Sequence, residues 1–580
     1  MEFRVWAPAP KRVELVLEDE RRAMQSSADG WWTIRVEDRT GPLRYGFALD
    51  GGPPLPDPRA PRLPDGVHAL GQTWDAGGFG WTDAGFRARP LGSGVIYELH
   101  IGTFTPGGTF DAAIERLDDL LELGVTHVEL MPVNSFPGVR GWGYDGVGLF
   151  APHEPYGGPE GLCRLVDACH ARGLAVIIDV VYNHLGPEGN YLAQFGPYFT
   201  DRYHTPWGEA VNLDGAGSDE VRRFFLDNAR LWLRDFHADG LRIDAIHAFA
   251  DESAKHLLEE MAEEKEELEA ETGRPLVLIA ESDLNDPRVI RAREAHGLGM
   301  DAQWTDDFHH ALHALTTGEQ QGYYADFGRL ADVAKSLERA FAVDGQYAAF
   351  RRRRHGRSIG DASGHRFVVY GQTHDQVGNR AVGDRIGHLV SPGRVRIVAA
   401  LVLTSPYVPM LFMGEEWAAS SPFQFFAEYG DGHLKKAVRA GRRREFRDFG
   451  WKPEDIPDPN AADTFERSRL RWDERGAGDH AAVLAWYREL IRLRHTHPEL
   501  TDGRRDRAEV RFDEDAGWLT LRRGRVTVAV NLGPAPVELA RPEGALSQAY
   551  PEGVRLSDVG LSLPPDGVAV VVRPDPRPVC

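Results

Sequence analysis

An arginine and an aspartate stand two residues apart in Gly240-Leu241-Arg242-Ile243-Asp244-Ala245-Ile246-His247, at the end of a short apolar run. Side chains alternate along a strand, so Arg242 and Asp244 face the same way and can share one site. A guanidinium beside Asp244 keeps the carboxylate ionised and fixes its orientation, which a nucleophilic aspartate requires. A structural ion pair would show the same spacing, so the neighbours must decide. Three further apolar runs also end in polar residues. The run 175–182 closes on Asn183 and His184, the run 276–280 on Glu281, and the run 367–372 leads to His374 and Asp375.

Near-continuous apolar runs of this length suit parallel strands buried on both faces. Functional residues at the C-terminal ends of several such strands are what a (β/α)₈ barrel presents at its catalytic face. In this order, the four segments resemble the four signature regions of the α-amylase superfamily of glycoside hydrolases. The resemblance implies a retaining mechanism, in which two carboxyl groups about 5–5.5 Å apart flank the sugar bond. It makes Asp244 the nucleophile, Glu281 the general acid and base, and Asp375 a third carboxylate that orients substrate hydroxyls. Glu281 follows five apolar or small residues and should leave a low-dielectric strand with a raised pKa, as an acid working near neutrality needs. His184 and His374 suit hydroxyl binding, while Asp179 and Asn183 are expected to brace the site.

Gly141-Trp142-Gly143-Tyr144-Asp145-Gly146 follows the second barrel strand. Taken alone, a Tyr-Asp pair in a Gly-rich loop reads as turn chemistry. The resemblance implies instead that Tyr144 stacks on the sugar at the cleavage point and that Asp145 holds neighbouring hydroxyls. The segment after Asp375 adds Gln376, Asn379 and Arg380 as candidate substrate contacts. Within the superfamily, 303–313, 374–381 and 413–417 are similar to members that cut the α-1,4 bond beside the terminal trehalose unit of maltooligosyltrehalose. Such members release trehalose and a maltooligosaccharide and work alongside a maltooligosyltrehalose synthase. Trehalose is bent and has no reducing end, so subsites beyond the cleaved bond must recognise a shape amylose lacks. Asp306, Asp307, Phe308, His309 and His310, with His247 past the nucleophile strand, are the candidates. A plainer reading is that Asp306 or Asp307 caps the helix that follows. Two alternatives stay open: a glycogen branching enzyme or other α-1,4-glucan hydrolase or transferase, and a glucan-binding protein without catalysis.

The elements that must position these residues occupy a chain of 580 residues, long enough for two or three domains. Residues 1–88 alternate in apolarity between Pro, Gly and Asp turns and suggest a small β-sandwich, which resembles the immunoglobulin-like module that precedes the barrel in glycogen-processing relatives. Its Trp residues can bind glucan or pack against the barrel, and packing is the expectation. Residues 89–500 alternate strand and helix signals, with the eight strands near 95, 125, 175, 240, 276, 300, 367 and 408 and a short insertion at 185–218. Helices are expected over 109–123, 219–237 and about 251–270. Residues 501–580 read as a second β-sandwich. The fold class is thus α/β, a (β/α)₈ TIM barrel flanked by two β-sandwiches.

A net charge of −21 argues against a nucleic-acid surface or an anionic-membrane anchor. No run approaches the ~18 apolar residues of a membrane span. The first residues lead straight into a strand without a signal core, so a cytoplasmic location is expected. Cys163, Cys169 and Cys580 make no disulfide framework or metal spacing. The mechanism needs no cofactor or metal, and the short insertion offers few clustered oxygen ligands for calcium. The arginine runs 351–354 and 442–444 read as solvated loops or as partners for neighbouring carboxylates.

Overall fold

The computed structural model describes residues 1–574, apart from 19, 38, 40 and 446–450; Cys580 lies outside the described residues. Eight parallel strands close into a barrel: β1 (Ile96–Leu99), β2 (His127–Leu130), β3 (Ala175–Val180), β4 (Gly240–Ile243), β5 (Val277–Ala280), β6 (Ala302–Trp304), β7 (Phe367–Tyr370) and β8 (Val408–Phe412). Nearly every residue of these strands is buried, which is why their sequences run apolar rather than alternating. Ile96, Ile177, Ile279, Trp304, Val368, Tyr370, Val408 and Met410 pack on one another inside the barrel. Towards the C-terminal ends this filling gives way to charge. The register pairs Glu98 with Glu129 across β1 and β2, and Asp179 with Arg242 across β3 and β4.

Two of the expected helices have different bounds. The stretch 109–123 forms Phe110–Ile114 and Leu117–Leu123, with Arg116 between them in the bridge region of backbone space (φ −109°, ψ 0°). The acidic helix begins only at Leu257 and runs to Thr272. The Asp251 carboxylate explains the late start: it binds Arg222 and the backbone N–H groups of Ser253 and Leu257. These bonds hold 251–256 as a loop, and the helix opens with a capping box between His256 and Glu259. The insertion carries a β-hairpin, Phe199–Thr205 against Gly208–Val211, with Trp207 in its turn.

At the N-terminal end, Glu2–Trp6, Trp31–Arg35 and Gln25–Ser26 form one antiparallel sheet, and Glu20–Ala23, Val13–Leu17, Arg44–Leu49 and Pro54–Leu55 a second. The Trp31 indole N–H donates to Glu220 on the barrel at 3.1 Å, and Arg59 pairs with Asp227 at 2.7 Å. Trp31 is therefore a docking residue. After the long helix Gly478–Thr496, eight further strands form two antiparallel sheets. Two buried arginines bind the turn that leads into β8, Arg494 from the helix and Arg523 from the first of these sheets. Arg494 donates to the carbonyls of Leu403, Ser405 and Tyr407, and Arg523 to those of Thr404, Glu499 and Asp502.

Gly240 opens β4 opposite Val277, and a Cβ there would lie 2.4 Å from Val277 Cγ2 and 2.7 Å from the Val277 carbonyl oxygen. Only glycine lets β5 approach this closely. Gly240→Ala should cost about 1–3 kcal/mol of stability, the range for overpacking. Chemical denaturation would show it, and an unchanged midpoint would disprove the constraint.

Candidate active site

Arg242 is wholly buried and organises the centre. Its Nη1 donates to Asp244 Oδ1 at 2.7 Å and to both oxygens of Asp179 at 2.9 and 3.0 Å. Nη2 lies 3.8 Å from Glu281 Oε2, and the face of Trp304 lies 4.3 Å from the guanidinium carbon. Asn183 Nδ2 donates to Asp244 Oδ2 at 2.8 Å and to the Asp244 carbonyl at 3.0 Å. Burial by itself would raise the Asp244 pKa, but Arg242, His184 and Asn183 overcome it and hold the carboxyl below its usual range. Asp179 is pushed up to about 6 by burial, against the pull of Arg242, and accepts a bond from the Tyr144 hydroxyl at 2.6 Å. Its contacts are those of a brace.

Glu281 has the opposite surroundings. Burial raises its pKa well above the usual carboxylate range; Arg242 opposes this but does not overcome it, and Asp244, Asp306 and Asp375 add to the rise. Its Oε2 accepts the Ala245 N–H at 2.5 Å. Ala245 has φ +39°, strained for a residue with a Cβ, and this turn aims its N–H at Glu281. One backbone bend thus ties the two carboxylates together.

His374 is also buried. Its backbone N–H donates to Glu98 Oε2 at 3.0 Å, its Nδ1 meets Glu98 Oε1, and its Nε2 lies 3.5 Å from Asp375 Oδ2. Burial works against a charged ring, yet Asp375 and Glu98 raise its pKa to about 9. Tyr144 stacks on this imidazole with ring centres 5.0 Å apart. Gly143 makes the Tyr144 loop possible: it sits at φ +100°, and a Cβ there would lie 2.4 Å from the Pro132 carbonyl. Asp145 accepts from the Tyr429 hydroxyl, and burial raises its pKa. His184 meets Asn183 Oδ1 through Nδ1 and stacks at 4.5 Å on Trp207, which stays 49% exposed.

The loop after β6 divides. The helix Asp306–Thr317 is capped at Thr305 without a side-chain bond, so neither Asp306 nor Asp307 is the cap. Asp306 faces the centre, accepts from Tyr370 at 2.6 Å and Gln376 at 3.3 Å, and is raised to about 7 by burial and by Asp375. Asp307 is turned away and accepts from Asn285 Nδ2 and the Val343 N–H. Phe308 is buried against Tyr407, and His309 joins the Gly371 carbonyl to the Tyr324 hydroxyl. These three were expected to touch substrate. Their positions on the inner side of an amphipathic helix give them to the core instead. His310 is half-buried against Tyr323, and His247 is exposed 3.8 Å from Asp283. Asn379 donates to Asp375 Oδ1 at 3.2 Å, whereas Arg380 is tied by both Nη atoms to Glu319.

Sequence reasoning missed Glu98, which stands in an apolar strand with no local sign of its partner. It also missed Asp283, which follows Glu281 by two residues. Asp283 pairs with Arg351 at 3.1 Å, so the first residue of that arginine run reaches the rim beside Glu281. Phe350, 47% exposed, and Tyr323 stand on the same side. Among the described residues, no group of three or more His, Cys, Asp or Glu side chains is placed to hold a metal ion.

Barrel and flanking sheets define an α-amylase-type glycoside hydrolase. A model of the alpha amylase catalytic domain matches residues 58–205, and a domain of unknown function (DUF3459) matches 503–570. Malto-oligosyltrehalose trehalohydrolases are 54% identical in Mycobacterium tuberculosis (92% of this chain, 93% of the relative) and 52% identical in Arthrobacter ramosus (98% and 99%). A 1,4-alpha-glucan branching enzyme from Xanthomonas campestris is 33% identical over only 42% of this chain and 37% of its own. A crystal structure from Salmonella typhimurium is 38% identical and superposes with a TM-score of 0.90, covering 99% of this chain and 97% of that one. The chain belongs to the malto-oligosyltrehalose trehalohydrolase family.

Glu98→Gln should remove the buried partner that, with Asp375, holds His374 as an imidazolium. A raised folded-state pKa stabilises fully below the unfolded value near 6.5 and is lost as pH rises through about 9. The variant should therefore be less stable by about 3–5 kcal/mol near pH 6, as for a broken buried pair. The gap should narrow towards pH 10. Denaturation midpoints at both pH values would test this, and a gap independent of pH would refute it.

Proposed function

We propose that the protein hydrolyses the α-1,4 bond adjoining the terminal trehalose unit of maltooligosyltrehalose, releasing trehalose and a maltooligosaccharide with retention. The observation that carries the mechanism is the contrast between Asp244, kept ionised by Arg242 and Asn183, and Glu281, kept protonated by burial. Asp244 attacks the anomeric carbon while Glu281 gives its proton to the departing 4-oxygen of trehalose. Glu281, now a base, takes a proton from water as the water oxygen displaces Asp244 and restores both carboxyls. Asp375 and the His374 cation bind hydroxyls as charge develops at the sugar ring. Tyr144 and Asp145 hold the same sugar.

The acid sits over the leaving group, so trehalose lies on the side of Glu281, Asp283, Asp306, His310 and His247. The identity with enzymes named for this reaction supports the substrate. The protein is read as cytoplasmic, acting beside a maltooligosyltrehalose synthase and needing neither cofactor nor metal. Cys163 and Cys169, free and buried, fit a reducing compartment.

NMR of the first product should show the new sugar end as the α-anomer, and an initial β-anomer would exclude retention. Asp244→Asn and Glu281→Gln should each lower kcat at least about 10²–10⁴-fold, the span of a lost acid-base group. The pH profile of kcat/KM should be bell-shaped. Asp244, depressed, sets the acidic limb, and Glu281, raised, sets the alkaline limb. With an activated aryl glycoside, Glu281→Gln should lose the alkaline limb, and its persistence would assign the acid elsewhere. Trehalose should appear from maltooligosyltrehalose far faster than any product from plain maltooligosaccharide.

A further inference from the structure

The short helix His374–Gly378 carries Asp375, whose side chain stays 41% exposed. Packing therefore does not lock this third carboxylate, and its aim depends on the groups that meet its two oxygens. His374 Nε2 stands 3.5 Å from Oδ2, and the Asn379 amide donates to Oδ1 at 3.2 Å. A side-chain amide can offer a donor or an acceptor to a neighbour. It holds a carboxylate firmly only when something fixes its other end.

That end is held from far along the chain. Beyond β8 the residues Gly432–Glu445 form a helix, from which Arg442 reaches back to the centre. Its Nη1 donates to Asn379 Oδ1 at 3.0 Å, and its Nη2 to the Gly378 carbonyl at 2.9 Å. A guanidinium has donors alone, so it takes the amide oxygen and leaves the amide NH₂ for Asp375. The second bond satisfies a carbonyl at the end of the Asp375 helix, where a cation is favoured. A planar fork can make both bonds at once, and an ammonium cannot.

Arg442 is itself held in place. The Phe425 ring lies 4.6 Å from the guanidinium carbon, and Phe425 stands edge-on to Trp142 with ring centres 5.1 Å apart. Trp142 in turn closes on the bare Cα of Gly378, where a Cβ would lie 2.1 Å from Trp142 Cζ2. One turn earlier on the same helix, Arg439 pairs with Asp458 at 3.1 Å. Arg443 and Arg444, next in the run, are exposed. The run expected to be solvated charge thus contributes one arginine to the centre.

We infer that Arg442 is a positioning residue for Asp375, acting through the Asn379 amide. It touches no reacting atom. The inference rests on the proposed reaction, in which Asp375 binds sugar hydroxyls more strongly as charge develops at the ring. A contact that strengthens only then shows in kcat and not in KM.

The test is a double-mutant cycle on kcat for trehalose release from a maltooligosyltrehalose. Arg442→Ala should lower kcat about two- to tenfold, the span of one neutral hydrogen bond, with KM nearly unchanged. In the Asn379→Ala background the same substitution should lose most of its effect, because the link it acts on is gone. Arg443→Ala removes an equal charge from an exposed neighbour and should leave kcat unaltered. Arg442→Lys, which keeps the charge and one donor, should recover part of the loss when Asn379 is present and none when it is absent. If Arg442→Ala fails to fold, the lysine variant carries the same cycle. Equal losses with and without Asn379, or an unchanged kcat in Arg442→Ala, would overturn the inference. Full activity in Asp375→Asn would instead overturn the part given to Asp375 in the reaction.

Discussion

The burial of Arg242 is the constraint on which the rest of the centre depends. A guanidinium taken fully out of water costs several kcal/mol unless carboxylates surround it in good geometry. Here Asp179 and Asp244 share its Nη1, and Trp304 covers one face. The parallel register makes this possible by setting Asp179 level with Arg242 on the adjoining strand. The same cation then produces the division of labour above it: Asp244, in direct contact, is held ionised, while Glu281, 3.8 Å from the other nitrogen, is not. One misplaced charge would collapse the difference between the two carboxyls.

A second polar layer supports the first. Glu98 and Glu129 are neighbours across β1 and β2, and both are buried. Glu98 is answered by His374. Glu129 has no protein partner for either oxygen, and burial beside Glu98 raises its pKa far above the usual range, so it is carried as the neutral acid. The layer thus sets the His374 imidazole, raised beside Glu98, next to a Glu129 carboxyl that burial also raises.

The eight strands and the residues at their ends were legible because period and position coincide: a strand buried on both faces must be apolar until it reaches the rim. Asp244, Glu281 and Asp375 stand at such transitions. The rim loop was less legible. Asp306 to His310 are five chemically capable residues in a row, and only the helix phase decides which point to the cleft. That phase was set by a helix starting at Asp306 itself, which turns Asp307, Phe308 and His309 inward. Glu98 was hidden for a different reason. A lone carboxylate in a buried strand gains its meaning from a partner 276 residues away, and no local pattern encodes such a pairing. Arg351 shows the same limit from the other side: its run of like charges looks generic until Asp283 is placed against it.

Arg494 and Arg523 bear on how far this architecture can be taken apart. Between them they satisfy the carbonyls of 403–407 that lead into the eighth strand, the one that closes the barrel against the first. A backbone carbonyl stripped of its partner in a buried place has no cheap replacement. The C-terminal sheets are therefore not an appendage that recombination can exchange freely. Through Arg523 they act as a keystone, since exchanging them while Arg494 stays on the preceding helix would strip the Thr404 carbonyl of its partner.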